Sequence, residues 1–111
     1  MAPSQDVKFV QRAKNIRGTG RLNSRVPVAV EGTDHGQPVR AEGHTRDISC
    51  NGCMAVLSKG FAVGERVRLV NLLNQNSCEA IAIWRGHESP AGWEIGLEMQ
   101  EPFPDFWGLD I

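Results

Sequence analysis

No stretch of this chain holds the 18 or so consecutive apolar residues that a membrane-spanning helix needs. The first residues, MAPSQDVKFVQRAK, lack the apolar centre of a secretory signal, and a cytoplasmic protein is expected. Cysteine is scarce: three residues cannot all pair within one chain, so reduced thiols are expected rather than a disulfide framework. Internal repeats and low-complexity tracts are also missing. What remains is ordinary globular composition, 41% hydrophobic and 23% charged, which excludes the disordered class. With 111 residues there is room for one modest core, and a second independent domain is not expected.

The net charge of −1 conceals a division. Residues 1–25 carry Lys8, Arg12, Lys14, Arg17, Arg21 and Arg25 against Asp6 alone, a charge of +5 that leaves residues 26–111 at −6. A basic arm on an acidic body suits a small anion near the junction, or an arm that docks on its own body. A long nucleic-acid polymer is disfavoured, because the body would repel it.

The pattern along the chain is β. Residues 1–16 allow a helical turn or two, with Val7, Val10 and Ala13 three apart, and Gly18 to Ser24 then read as a mobile loop. Residues 1–20 are therefore expected to be a flexible arm, and 21–111 one domain. Val26, Val28 and Val30 begin the first strand, with Pro27 fitting an edge or a strand start. Residues 31–38, EGTDHGQP, supply a turn. The next strand, 39–46, puts Arg40, Glu42, His44 and Arg46 on one wet face and Val39, Ala41, Gly43 and Thr45 on the other.

Further strands are expected at 53–57, 67–73, 78–85 and 93–99, with SKGFAVGE as a turn between the first two. Trp93, Ile95, Leu97 and Met99 share one face of the last strand and are assigned to the core. Six short strands with turn chemistry between them predict an all-β, antiparallel barrel or sandwich. The tail EPFPDFWGLDI should pack Phe106, Trp107 and Leu109 over an open end of the sheet as a turn or short helix, a plug rather than a binding site.

Cys50-Asn51-Gly52-Cys53 has the spacing of half a zinc site or of a redox dithiol. A structural zinc needs four ligands, and Cys78, His35, His44 and His87 are scattered without a paired spacing. A dithiol needs a following helix, whereas a strand follows. Both cysteines are expected to be buried packing residues, with no metal bound.

The same stretch contains Asp47, Ser49 and Gly52 as D-x-S-x-x-G. By parity Asp47 should face the way Thr45 does, so the strand ends or bulges there. An Asx or Ser turn, with Gly52 at positive φ, would explain all three. Far upstream, Arg21 and Arg25 in RLNSR could converge on one anion, and guanidinium forks suit phosphate oxygens or the O6/N7 edge of guanine. Two solvated surface arginines would also fit.

Taken together, RxxxR abutting V-P-V, DxSxxG about 20 residues later, Gly64, Val67 and Leu69 in G-x-x-V-x-L, and Trp93, Gly96, Leu97 and Met99 in W-x-x-G-L-x-M resemble the PilZ domain family over residues 21 to about 100. The resemblance implies a six-stranded antiparallel β-barrel and a bacterial receptor for cyclic di-GMP. Arg21 and Arg25 would be the clamp, and Asp47, Ser49 and Gly52 the barrel-side surface. Gly96 matches the glycine of the family's last strand, and Trp84 stands where the family often has an aromatic near a guanine, although barrel packing would account for it equally.

No enzymatic activity and no cofactor beyond the ligand are implied. The partner would be a downstream protein in control of motility, pili, exopolysaccharide or biofilm, with the receptor a monomer or weak dimer. Many family members have another arginine directly before the clamp. Here Gly20 stands there and Arg17 lies further back, which leaves open whether one ligand molecule or a stacked pair binds. The alternative is a barrel of the same kind without ligand binding, acting as a protein-interaction module.

Overall fold

The computed structural model describes residues 21–108; the expectations for residues 1–20, Arg17 included, and for Leu109 lie outside them. Seven antiparallel strands follow in order: β1 (Leu22–Asn23), β2 (Pro27–Asp34), β3 (Gln37–Ser49), β4 (Gly52–Leu57), β5 (Arg66–Asn71), β6 (Ser77–Ser89) and β7 (Gly92–Met99). Hydrogen bonding runs β3-β2-β5-β6-β7-β4, and β4 pairs back onto β3 to close a six-stranded barrel, with the short β1 added along β3. Closure leaves the six long strands without a free edge. The expected all-β barrel is what forms, and no helix occurs among the described residues.

Alternation built this barrel. Val28, Val30, Ala41, Ile48, Leu57, Leu69, Ile95 and Leu97 point inward and are essentially fully buried. Strands outlast their hydrophobic pattern, however. β2 and β3 continue through Asp34 and Gln37 to a two-residue turn, His35–Gly36, at φ 51° and 81°. That left-handed pair matches the twist of a hairpin. Residues 31–38 were expected to be a turn throughout because beyond the barrel's end neither face is buried. β6 likewise runs on to Ser89 rather than stopping at Arg85.

Three further expectations need correction. Trp93 is only partly buried at the rim, with the Arg85 guanidinium 4.4 Å over its ring, because β7 begins outside the core. Phe61, assigned to a turn, inserts into the core at 4% exposure. Cys50 is exposed in the β3–β4 turn, whereas Cys53 is buried as expected and Cys78 half-buried.

Burial pushes the Cys53 thiol far up and, with Glu79 assisting against Arg68, pushes Cys78 up to about 11. Because the thiolate is the nucleophile, Cys53 should resist iodoacetamide at neutral pH in the folded protein and react once denatured. Mass spectrometry reads this directly, and native labelling of Cys53 at the denatured rate would contradict its burial.

The tail is a plug, formed by turns rather than a helix. Phe106 is fully buried and Trp107 nearly so, with Phe106 edge-to-face against both Phe103 and Trp107. Three amides hold it: Asn71 Nδ2 donates to the Phe106 carbonyl at 3.0 Å, and Asn74 and Asn76 donate to the same oxygen at 3.2 Å. Buried Asn71 also accepts from the Leu73 amide at 2.9 Å. Asn71→Ala strips one buried carbonyl of its buried donor, so a loss of about 1–3 kcal/mol is expected in urea denaturation. Asn74→Ala, at an exposed position, should cost much less.

Candidate functional site

The site begins with a bulge. Thr45 pairs with Ala55, but Asp47 pairs with the next residue, Met54, so Arg46 is an extra residue in β3. Thr45 therefore points into the barrel while Asp47, two residues on, points out, and Ile48 returns to the core. Strict alternation would have buried a carboxylate at high cost. The parity conflict in the sequence is resolved by a bulge rather than by a strand end.

Outside the barrel, β1 lies against β3 with Asn23 opposite Asp47 and Leu22 opposite Ile48. This brings Arg21 to the Asp47 carboxylate at 3.3 Å. The Arg21 side chain is 63% exposed, so the pair contributes only about 0.2–1 kcal/mol and is easily exchanged. Ser49 donates its hydroxyl to Asn51 Oδ1 at 2.9 Å, across the turn into β4.

Gly52 does not have the positive φ expected of it. A Cβ at this position would lie 2.2 Å from the Leu97 carbonyl oxygen on β7. Only glycine lets β4 and β7 approach here, so its place in the motif has a structural cause independent of any ligand.

A second bulge serves the opposite wall. Ala82 pairs with Leu97 and Trp84 with Gly96, leaving Ile83 extra. Ile83 and Trp84 therefore both face outward, the indole 45% exposed. This decides against barrel packing for Trp84. A Cβ on Gly96 would stand 3.1 Å from Trp84 Cβ, so Gly96 supplies the floor over which the tryptophan lies.

Arg21, Asp47, Ser49, Gly52, Trp84 and Gly96 consequently line one groove of about 470 Å³. Arg25 does not. It borders an adjoining hollow with His44, Arg46 and Glu94, and a bridging depression lined by Asn23, Arg46, Asp47, Trp84 and Glu94 joins the two. The two clamp arginines thus sit in neighbouring hollows instead of converging on one point.

Thr45 is the reason. Its buried hydroxyl accepts from the Val26 amide at 2.8 Å and donates to the Ser24 carbonyl, while its own amide donates to the Val26 carbonyl at 2.9 Å. Residues 24–26 are held on both sides of Arg25. Thr45, His44, Arg46, Met54 and Glu94 escaped the sequence-based site. The wet face of β3 was the available signal for His44 and Arg46, whereas Glu94 needs the β3–β4–β7 register to be placed.

Arg46 is ion-paired with Glu94. His44 is held below its ordinary pKa by partial burial and then by the Arg25 and Arg46 charges. Among the described residues no three histidine, cysteine or acidic side chains gather as a metal site. One guanidinium fork, an outward carboxylate and a flat indole in the groove, with two further forks in the adjoining hollow, are elements that can recognise a purine nucleotide: charge for phosphate, acceptors for the base edge, and a stacking face.

A protein-family model, that of the PilZ domain, matches residues 11–102. No curated protein and no solved structure matches the chain.

Proposed function

Because this chain belongs to the PilZ domain family, a family of cyclic di-GMP receptors, we propose that it binds cyclic di-GMP in the groove over β3, β4, β6 and β7 and passes the signal to a partner protein. The observation that supports this most is the gathering of Arg21, Asp47, Ser49, Gly52, Trp84 and Gly96 around one groove, from four strands and the segment before β1. In this reading the guanine N1–H and amino group donate to Asp47, the base lies against Trp84, and Arg21 exchanges its carboxylate partner for a phosphate. The exchange costs little, since the exposed pair is weak and a charge-assisted bond replaces it.

Arg21, closing over the ligand, forms with the barrel beneath it the composite surface that the partner reads. The protein is a binding switch in the cytoplasm of a bacterium, with no reaction of its own. Calorimetry tests it: the full chain should bind cyclic di-GMP, and Arg21→Ala or Arg25→Ala should each lose roughly 2 kcal/mol. A wild-type chain that gives no binding heat, together with partner binding indifferent to the dinucleotide, would leave the interaction module instead.

A further inference from the structure

We propose that the hollow beside the main groove, bordered by Arg25, His44 and Arg46, is an anion subsite that seats one phosphodiester of the dinucleotide, with the His44 imidazole as a direct contact. The inference rests on the proposed receptor function and extends it to residues outside the D-x-S-x-x-G and RxxxR motifs. The hollow, about 490 Å³, is as large as the first; it shares Asn23, Arg46 and Glu94 with the bridging depression, which shares Asp47, Met54 and Trp84 with the groove. A ligand with two phosphates and two bases can therefore lie across both, with one end against Asp47 and Trp84 and a phosphate among Arg25, His44 and Arg46.

Charge and rigidity favour this seat. His44 and Arg46 are two residues apart on the outer face of β3, and Arg25 reaches the same hollow from the segment that Thr45 anchors. Its backbone is already fixed, so seating an anion there orders less chain than closing Arg21 does. The acidic groups near His44 are few and engaged. Glu42, on the same face of β3, is held by Arg40 at 3.2 Å, and Glu94, reaching across from β7, is paired with Arg46. β4 presents Val56 opposite His44 and β2 presents Pro27, neither of them charged.

The same surroundings predict proton linkage. In the empty site partial burial, and after it the Arg25 and Arg46 charges, disfavour the imidazolium; a phosphate among them offsets both charges and accepts a hydrogen bond from the imidazolium, which outweighs the burial, so the His44 pKa rises on binding. A group whose pKa rises in the complex takes up a proton, and affinity grows as pH falls through the interval between the two values.

The test is a calorimetric titration of the full chain with cyclic di-GMP at about pH 6 and about pH 8, repeated in two buffers of different ionisation enthalpy. Wild type should bind about tenfold more tightly at the lower pH and take up a fraction of a proton. His44→Gln should lose both the pH dependence and the uptake. Arg46→Ala should weaken binding about tenfold, with Arg46→Lys recovering part of it. If a variant fails to fold, proton uptake by wild type decides alone. Binding that is independent of pH and releases or takes up no proton would overturn the subsite while leaving the receptor function intact. No binding at either pH would remove the receptor function, and the subsite with it.

Discussion

Asp47→Ala should weaken cyclic di-GMP binding by about 30-fold or more, corresponding to about 2 kcal/mol, with the barrel intact. Two effects oppose each other. Removing the carboxylate deletes the acceptor for two guanine donors, each a hydrogen bond to a charged group and contributing about 1.5–3 kcal/mol. It also releases Arg21 from its ion pair, which would help binding by making the guanidinium available. That pair is 63% exposed on the arginine side and contributes at most about 1 kcal/mol, so the loss prevails. Stability should change by no more than about 1 kcal/mol, the most that the exposed pair with Arg21 contributes. Calorimetry and urea denaturation on the same preparation check both halves, and unchanged affinity would remove Asp47 from the site.

Gly52→Ala should be among the most damaging single changes to the fold, at about 3 kcal/mol or more in urea denaturation. The added methyl would meet a backbone carbonyl, that of Leu97 at 2.2 Å, and a strand backbone cannot give way as a side chain can. β4 and β7 would have to separate beside Gly96, taking the floor beneath Trp84 with them. Gly96→Ala makes the comparison: its methyl would meet Trp84 Cβ at 3.1 Å, a contact that a small local shift relieves, so the barrel survives. Equal stability of Gly52→Ala and wild type would show that the two strands tolerate separation.

Much of this was legible in the sequence, for identifiable reasons. Alternation at Val26 to Val30, at 39–46 and at 93–99 depends only on one face being buried, and it located the barrel strands. It failed where strands leave the core, at 31–38 and beyond Arg85, since both faces are then polar. Trp93 shared the parity of Ile95 yet lies at the rim, because parity fixes the face and not the depth. The bulge at Arg46 announced itself by placing Asp47 on the buried side, whereas the one at Ile83 leaves no such conflict between apolar neighbours.

The motif residues were found at their positions, but not always for the expected cause: Gly52 serves strand packing, and Cys50 is exposed in a turn that needs no buried residue. His44, Arg46 and Glu94 could not be assembled from the chain, since only the register of three strands brings them to one hollow.

The most direct test of the central claim is an NMR titration of the full chain with cyclic di-GMP, following backbone amides and the tryptophan indoles. Saturable shifts should concentrate on Asp47, Ser49, Gly52 and Gly96 and on the Trp84 indole, extend to Arg25 and His44, and leave unmoved Leu73, which lines neither the groove nor the hollows beside it. No shift at high ligand concentration, or shifts that spare the groove, would contradict it.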